Sequence, residues 1–415
     1  MDEYPRLRAL EVFPLQEGGK TLVCLRDPLR IAQTLVVSPA AYFILGHLDG
    51  RHTLLDIQEA YNRQFGELLL SHELQKFLET VDRNLFLHNE RFLERQSQVA
   101  EEFRRQPTRP AAHAGTVYKQ DPRELENQLE GYFQAPDGPG PALQDTLNPA
   151  PKALVAPHID FHRGGPWYAW VYRELMQSEG ADLYVLLGTS HCGGLTPFIL
   201  TEKDFETPWG LVETDREFVR RLQEGYAADL FVDEYLHRGE HSLEFQVIFL
   251  KYVSLLQERR GGRGRPFKIV PILVSSFHPM VETNTLPEKD PRIGSFLRNL
   301  REQIERESRR VCLVAGVDLA HVGAQFGDPE TITPSFLDWV QAEDLRLIDR
   351  LAGLDGPGFF HEVAKDQDRR RICGFSPLYS LIHLLDGSRG RVLQYRQAFT
   401  RETNSAVTFT SVVFS

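Results

Sequence analysis

Four short runs in the second half of the chain are apolar almost throughout: KALVAP from Lys152, LYVLLGTS from Leu183, KIVPILVSS from Lys268 and RVCLVAGVD from Arg310. None alternates polar with apolar residues, so none suits a strand with one face in water. Runs of this kind fit strands buried on both faces of a sheet. Helical stretches separate them, such as HSLEFQVIFLKYVSLLQ, where Leu243, Val247 and Leu250 fall on one side. The alternation predicts an α/β domain with a sheet core flanked by helices. RVLQYRQAFT and AVTFTSVVFS read as late strands, antiparallel at one edge.

A chain of 415 residues is long for one core and predicts two domains. Residues 1–95 read as a small α+β unit. Two strands, RLRALEVFPL and KTLVCLR, flank the turn EGGK, and three amphipathic helices follow with Ser38, Thr53 and Ser71 as caps. That pattern fits a winged-helix-like domain. Residues 96–112 are polar, charged and contain proline, and read as a linker. The α/β domain takes 113–415, with a helix starting near Asp121 and a Pro/Gly-rich loop, APDGPGPALQDTLNPAPK.

Net charge is −11, which argues against nucleic-acid binding by charge. No apolar run is long enough to span a bilayer, and the start of the chain has no export-signal core, so a cytoplasmic protein off the membrane is expected. The four cysteines, Cys24, Cys192, Cys312 and Cys373, are widely spaced and predict no disulfide framework.

Three of the apolar runs end alike. The first ends in His158 and Asp160, the second in Ser190 and His191, the fourth in Asp318 and His321. Ligands of open α/β sheets bind beyond the carboxyl ends of the strands. Imidazole is the commonest metal-binding side chain, and two histidines with a carboxylate suit non-haem iron(II). Zinc hydrolases use similar ligands, so spacing does not choose the metal. EHSLEFQ adds His241 and Glu244, three apart on one helix, as an acid/base or supporting pair or as a solvated first turn. His162 and the Arg163-Gly164-Gly165 turn read as a loop near substrate or phosphate. Cys373 opens a helix where a thiolate is favoured. A serine hydrolase is disfavoured: the chain has no G-x-S-x-G elbow, and Ser190 and His191, being adjacent, point to opposite sides.

The order APH, GTSH, EHSLEFQ, DLAH and a late CG resembles the MEMO family, whose prokaryotic members are often called AmmeMemoRadiSam system protein B. The resemblance spans 113–415, and AGTVYKQDPRELENQLEGYF is similar to that family's opening segment. It implies a fold related to class III extradiol dioxygenases, a mixed sheet between helices with a metal-site pocket. Carried over, the metal ligands are His158, His191 and Cys373. Asp318 and His321 line the same pocket as acid/base groups, with His241 and Glu244 beside them and Asp160, His162 and Ser190 at the rim. Cys373 stands where the dioxygenases use a carboxylate. Iron is the metal most directly implied, with copper and zinc as alternatives. Implied partners are a small molecule or peptide and, through gene association, radical SAM and AMMECR1-like proteins. The first motif departs from the family pattern at Ile159-Asp160-Phe161, and in the fourth Val317 and Ala320 replace serines. LVVSPAAYFILGHLDGRHTLLDI resembles PqqD-like peptide-recognition domains, which bind leader peptides by strand addition. The function expected from all this is a dioxygenase-like redox enzyme of unknown substrate. The alternative is a non-catalytic metal- or peptide-binding scaffold.

Overall fold

A computed structural model describes residues 3–141, 147–259, 266–329 and 331–415. Residues 142–146 of the Pro/Gly-rich loop lie outside the described residues. The chain divides into two compact units, 1–105 and 106–415.

In the first unit, β1 (Glu11–Glu17) and β2 (Lys20–Arg26) form an antiparallel hairpin, and β3 (Leu35–Val37) adds to the other side of β2. Helix α1 (Pro39–Gly46) begins at Ser38, whose hydroxyl accepts the Ala41 N–H. Helix α2 (Leu54–Phe65) begins with a reciprocal capping box between Thr53 and Asp56. Helix α3 (Ser71–Arg83) differs from expectation at its start. Leu70 holds the cap position, Ser71 is the first helical residue, and Glu73 reaches back to accept the Leu70 N–H. The first ten residues of the expected linker belong to helix α4 (Glu90–Arg105). Their polarity is that of an amphipathic surface: Phe92, Val99 and Phe103 share the buried face, while Arg104 and Arg105 pair with Glu101 on the outside.

The second unit is built on an eight-stranded mixed sheet. Its central strands β5 (Ala153–Ala156), β11 (Val311–Gly316), β6 (Leu183–Thr189) and β10 (Lys268–Val274) run parallel in that order. β7 (Phe198–Leu200) closes one edge antiparallel to β10. At the other side β14 (Ser405–Phe414) pairs antiparallel with β5 and with the short β12 (His321–Gly323), and carries β13 (Gly390–Thr400) as the outermost strand. A small separate sheet joins β4 (Thr108–Arg109), β8 (Asp204–Thr207) and β9 (Gly210–Val212).

Both faces of the large sheet are covered, as its unbroken apolar strands require. Val155, Val185, Leu187, Ile272 and Ala315 point into one layer with α7 (Arg216–Glu224), α10 (Pro291–Glu305), α11 (Pro334–Ala352), α12 (Gly356–Ala364) and α13 (Phe375–Leu384). Alternate residues face the layer of α6 (Phe161–Met176) and α8 (His241–Arg259), with α5 (Pro122–Gln134) packed on α6. A short α9 (His278–Glu282) follows β10. Helix α8 is buried on all sides over Ser242–Leu250, not on a single stripe, because it is wedged between the sheet and its neighbours.

The start of α8 lies on the ends of β6 and β11 at backbone contact distance. A Cβ on Gly188 would sit 2.5 Å from Ser242 Oγ, and one on Gly316 would sit 2.4 Å from the Ser242 carbonyl oxygen. The Arg163-Gly164-Gly165 stretch is not a phosphate loop, since it lies in the first turns of α6. Its glycines are packing positions: Cβ atoms there would fall 2.4 Å from Ile159 Cγ2 and 2.5 Å from the Tyr132 ring. Gly165→Ala should therefore destabilise the unit by about 1–3 kcal/mol despite alanine's better helix propensity. A thermal midpoint at or above wild type would contradict this.

Candidate metal centre

The three central strands β5, β11 and β6 end side by side, so the residues that follow them converge. His158 comes two residues after β5, Asp318 two after β11 and His191 two after β6. His241, the first residue of α8, is brought to the same point by the close approach of that helix. Ligand-type atoms of His158, His191 and His241 all lie within 4.8 Å of one another. The His191 and His241 rings stack at a centroid distance of 4.7 Å, and the His158 ring stands edge-on to both.

Each imidazole has one nitrogen already engaged. His158 Nδ1 is 3.1 Å from the Gly316 carbonyl oxygen, to which it donates. His191 Nδ1 donates to the Glu240 carboxylate at 3.0 Å, and His241 Nδ1 lies 3.2 Å from the same carboxylate. This leaves the Nε2 side of all three for the centre of the cluster, the arrangement in which a second partner fixes the tautomer of a metal-binding histidine. Cys373 Sγ lies 3.2 Å from His158 Nε2 and is in hydrogen-bond contact with His191. Imidazole and thiol donors at this spacing fit a first-row transition metal or zinc.

The charges fit the same reading. Burial, reinforced by the neighbouring histidines, holds His158 well below its ordinary pKa, so it is neutral and able to ligate. Burial also disfavours the charged form of His191, but Glu240 and Cys373 outweigh it and draw its pKa well up. A metal ion bound through His191 would have to displace that proton. Burial raises the Cys373 thiol, with His191 opposing. Asp318 is pushed up by burial to about 7, although it accepts the His158 N–H at 3.0 Å. Its other oxygen is 3.6 Å from His158 Nε2. His321 donates through Nδ1 to the Leu319 carbonyl, and burial pushes its pKa down to about 4.

Two expectations are corrected. His241 is the third imidazole of the cluster and not an acid/base partner of Glu244. Glu244 points away, into a buried ion pair with Arg109, and accepts hydrogen bonds from Tyr118 Oη at 2.5 Å and from the N–H groups of Ala112 and His113. All its acceptor capacity goes to pinning residues 109–118. Of the residues assigned to the rim, Asp160 caps α6 and binds Arg163, His162 is exposed on the first turn, and Ser190 donates to the Gly193 carbonyl. The residue missed was Glu240. It adjoins His241 in GEHSLE, and its signal was an acidic side chain directly before a helix start.

A family model described as "Memo-like protein" matches residues 109–413. That span holds every residue of the cluster. The chain belongs to the Memo-like family. A MEMO1 family protein of Aquifex aeolicus is 30% identical over 99% of both chains. Memo-like relatives from Methanopyrus kandleri (28% identical) and Aeropyrum pernix (31% identical) match 74% and 69% of this chain and 98% and 92% of their own lengths. The Memo-like match thus lies in the second unit, and the Aquifex relative matches across the first unit as well.

Proposed function

We propose that the cluster holds one redox-active metal ion and serves a dioxygenase-like oxidation of a small organic or peptide substrate. Non-haem iron is the first candidate, with copper next and zinc third. The observation that carries this reading is the convergence of three imidazoles, each with its Nδ1 side on an oxygen acceptor, beside the Cys373 thiol. An iron or copper ion bound there would supply Lewis acidity and one-electron chemistry. The chain's own groups then have defined tasks. His158, His191 and Cys373 would hold the ion, with His241 alongside. Asp318, pushed up by burial to about 7 in the metal-free chain and 3.6 Å from His158 Nε2, is placed to give or take a proton beside the ion. His321, neutral above about pH 4, serves as a second acceptor.

A non-catalytic metal- or peptide-binding scaffold is the second reading, favoured by a thiol at Cys373 where ring-cleaving dioxygenases carry a carboxylate. We read the first unit, with its three-stranded antiparallel sheet, as a winged-helix-like, PqqD-like contact module for a peptide partner. Radical SAM and AMMECR1-like proteins are proposed partners, in the cytoplasm. Among the described residues no helix is long and apolar enough to cross a membrane.

The test is elemental analysis of protein purified without oxygen, wild type against His191→Ala. Near-stoichiometric iron or copper in wild type, lost in the variant, is the expected result. Zinc alone would remove the redox assignment. No metal in either, even after reconstitution, would overturn the metal reading and leave a binding pocket.

A further inference from the structure

Glu240 is buried in the gap between the strand that ends near His191 and the helix that begins with His241. Its carboxylate accepts hydrogen bonds from four groups and lies beside a fifth. One oxygen takes the His191 N–H at 3.0 Å. The other takes the His241 and Ser242 N–H groups at 2.8 and 3.0 Å, and lies 3.0 Å from His191 Nδ1 and 3.2 Å from His241 Nδ1. Both the ring orientation and the tautomer of two of the three clustered histidines are therefore referred to a single side chain. His158 is held independently, by the Gly316 carbonyl.

We propose that Glu240 is the positioning residue of the metal centre, locking His191 and His241 as a matched pair with Nε2 facing the ion. The inference rests on the metal reading above and goes beyond it by assigning half of the site's organisation to a residue that does not touch the ion. The chemistry follows from what a carboxylate can do. It only accepts, so each facing Nδ1 must carry the proton and each Nε2 must be the lone-pair side. In Glu240→Gln one end of the side chain becomes an NH₂ donor. That end repels the N–H groups it formerly accepted and offers a proton to Nδ1, which favours the tautomer with hydrogen on Nε2. A histidine in that tautomer cannot ligate through Nε2. Loss of such supporting partners typically costs roughly 10–100-fold in metal affinity.

The experiment titrates the full-length metal-free chain with Co(II), following visible absorption, for wild type, Glu240→Gln, Glu240→Asp and Gly165→Ala, with a thermal midpoint for each. Gly165→Ala is the stability control, since it perturbs the packing on Tyr132 and lies outside the cluster. We expect Glu240→Gln to bind about 10–100-fold more weakly with an altered spectrum. Glu240→Asp, which keeps the acceptor but loses reach, should fall between it and wild type. Gly165→Ala should lose thermal midpoint while keeping wild-type affinity. Wild-type affinity and spectrum in Glu240→Gln would overturn the assignment and leave the metal reading intact. Equal loss of affinity in Gly165→Ala would also overturn it, because general destabilisation would then account for the effect. If Glu240→Gln does not fold, Glu240→Asp decides alone, and an unchanged affinity there counts against the proposal. Failure of wild type to bind Co(II), Fe(II) or Zn(II) would instead overturn the metal reading, and this inference with it.

Discussion

Glu244→Ala is expected to lower the stability of the second unit by about 3–5 kcal/mol, the loss typical when one member of a buried ion pair is removed. The side chains of Arg109 and Glu244 are each 1% exposed. Without the carboxylate, the Arg109 guanidinium stays buried among the carbonyls of Pro110, His237 and Glu240 with no counter-charge. Tyr118 Oη and the N–H groups of Ala112 and His113 also lose their acceptor. The penalty comes from stranded buried polar groups more than from the lost attraction. All four tryptophans, at positions 167, 170, 209 and 339, lie in this unit, so their fluorescence in a denaturant titration reports it selectively. An unchanged midpoint would show that the segment 109–118 is not held by this pair.

Asp318→Asn should change the pH dependence of stability, and the direction follows from proton linkage. Burial lifts Asp318 from 3.8 to about 7, so between these values the folded metal-free protein keeps a proton that the unfolded chain releases. The stability this gives is complete below about pH 4 and is lost as pH rises through 7. Asparagine mimics the neutral acid and still offers an oxygen to the His158 N–H. The variant should match wild type near pH 4 and exceed it at pH 8 by on the order of 4 kcal/mol. Denaturation midpoints at pH 4, 6 and 8 test this. A difference between the two proteins that does not vary with pH would mean that Asp318 is ionised throughout.

Much of this was legible from the chain alone, for identifiable reasons. Strands buried on both faces have a compositional signature, and four of them appear as apolar runs. The convergence of His158, His191 and Asp318 follows from their common position two residues beyond parallel neighbours. The helix caps at Ser38 and Thr53 and the helix start near Asp121 are local patterns and could be read directly. What escaped was set by contacts between distant segments. His241 and Glu244 have identical spacing whether they share a site or not. Only the approach of Arg109, 135 positions away, shows that Glu244 is committed elsewhere. Residues 96–105, the last part of helix α4, read as a linker because a helix with three buried positions in 16 looks polar on average. The Gly164-Gly165 pair signals tight packing or a phosphate loop equally well until Tyr132 is seen against it.

The contact of Ser242 with Gly188 and Gly316 has a consequence for how ligand reaches the site. On the strand side the contact is bare glycine backbone, so Ser242 and its neighbours in helix α8 sit directly on the strand ends. The backbone at His241 therefore cannot move toward an incoming ion without breaking these contacts, and its place is settled when the chain folds. The ordering entropy of the three imidazoles is charged to folding and not to association. Capture should then resemble filling a finished mould: fast, with little structural change, and selective against ions whose preferred shell the mould does not match.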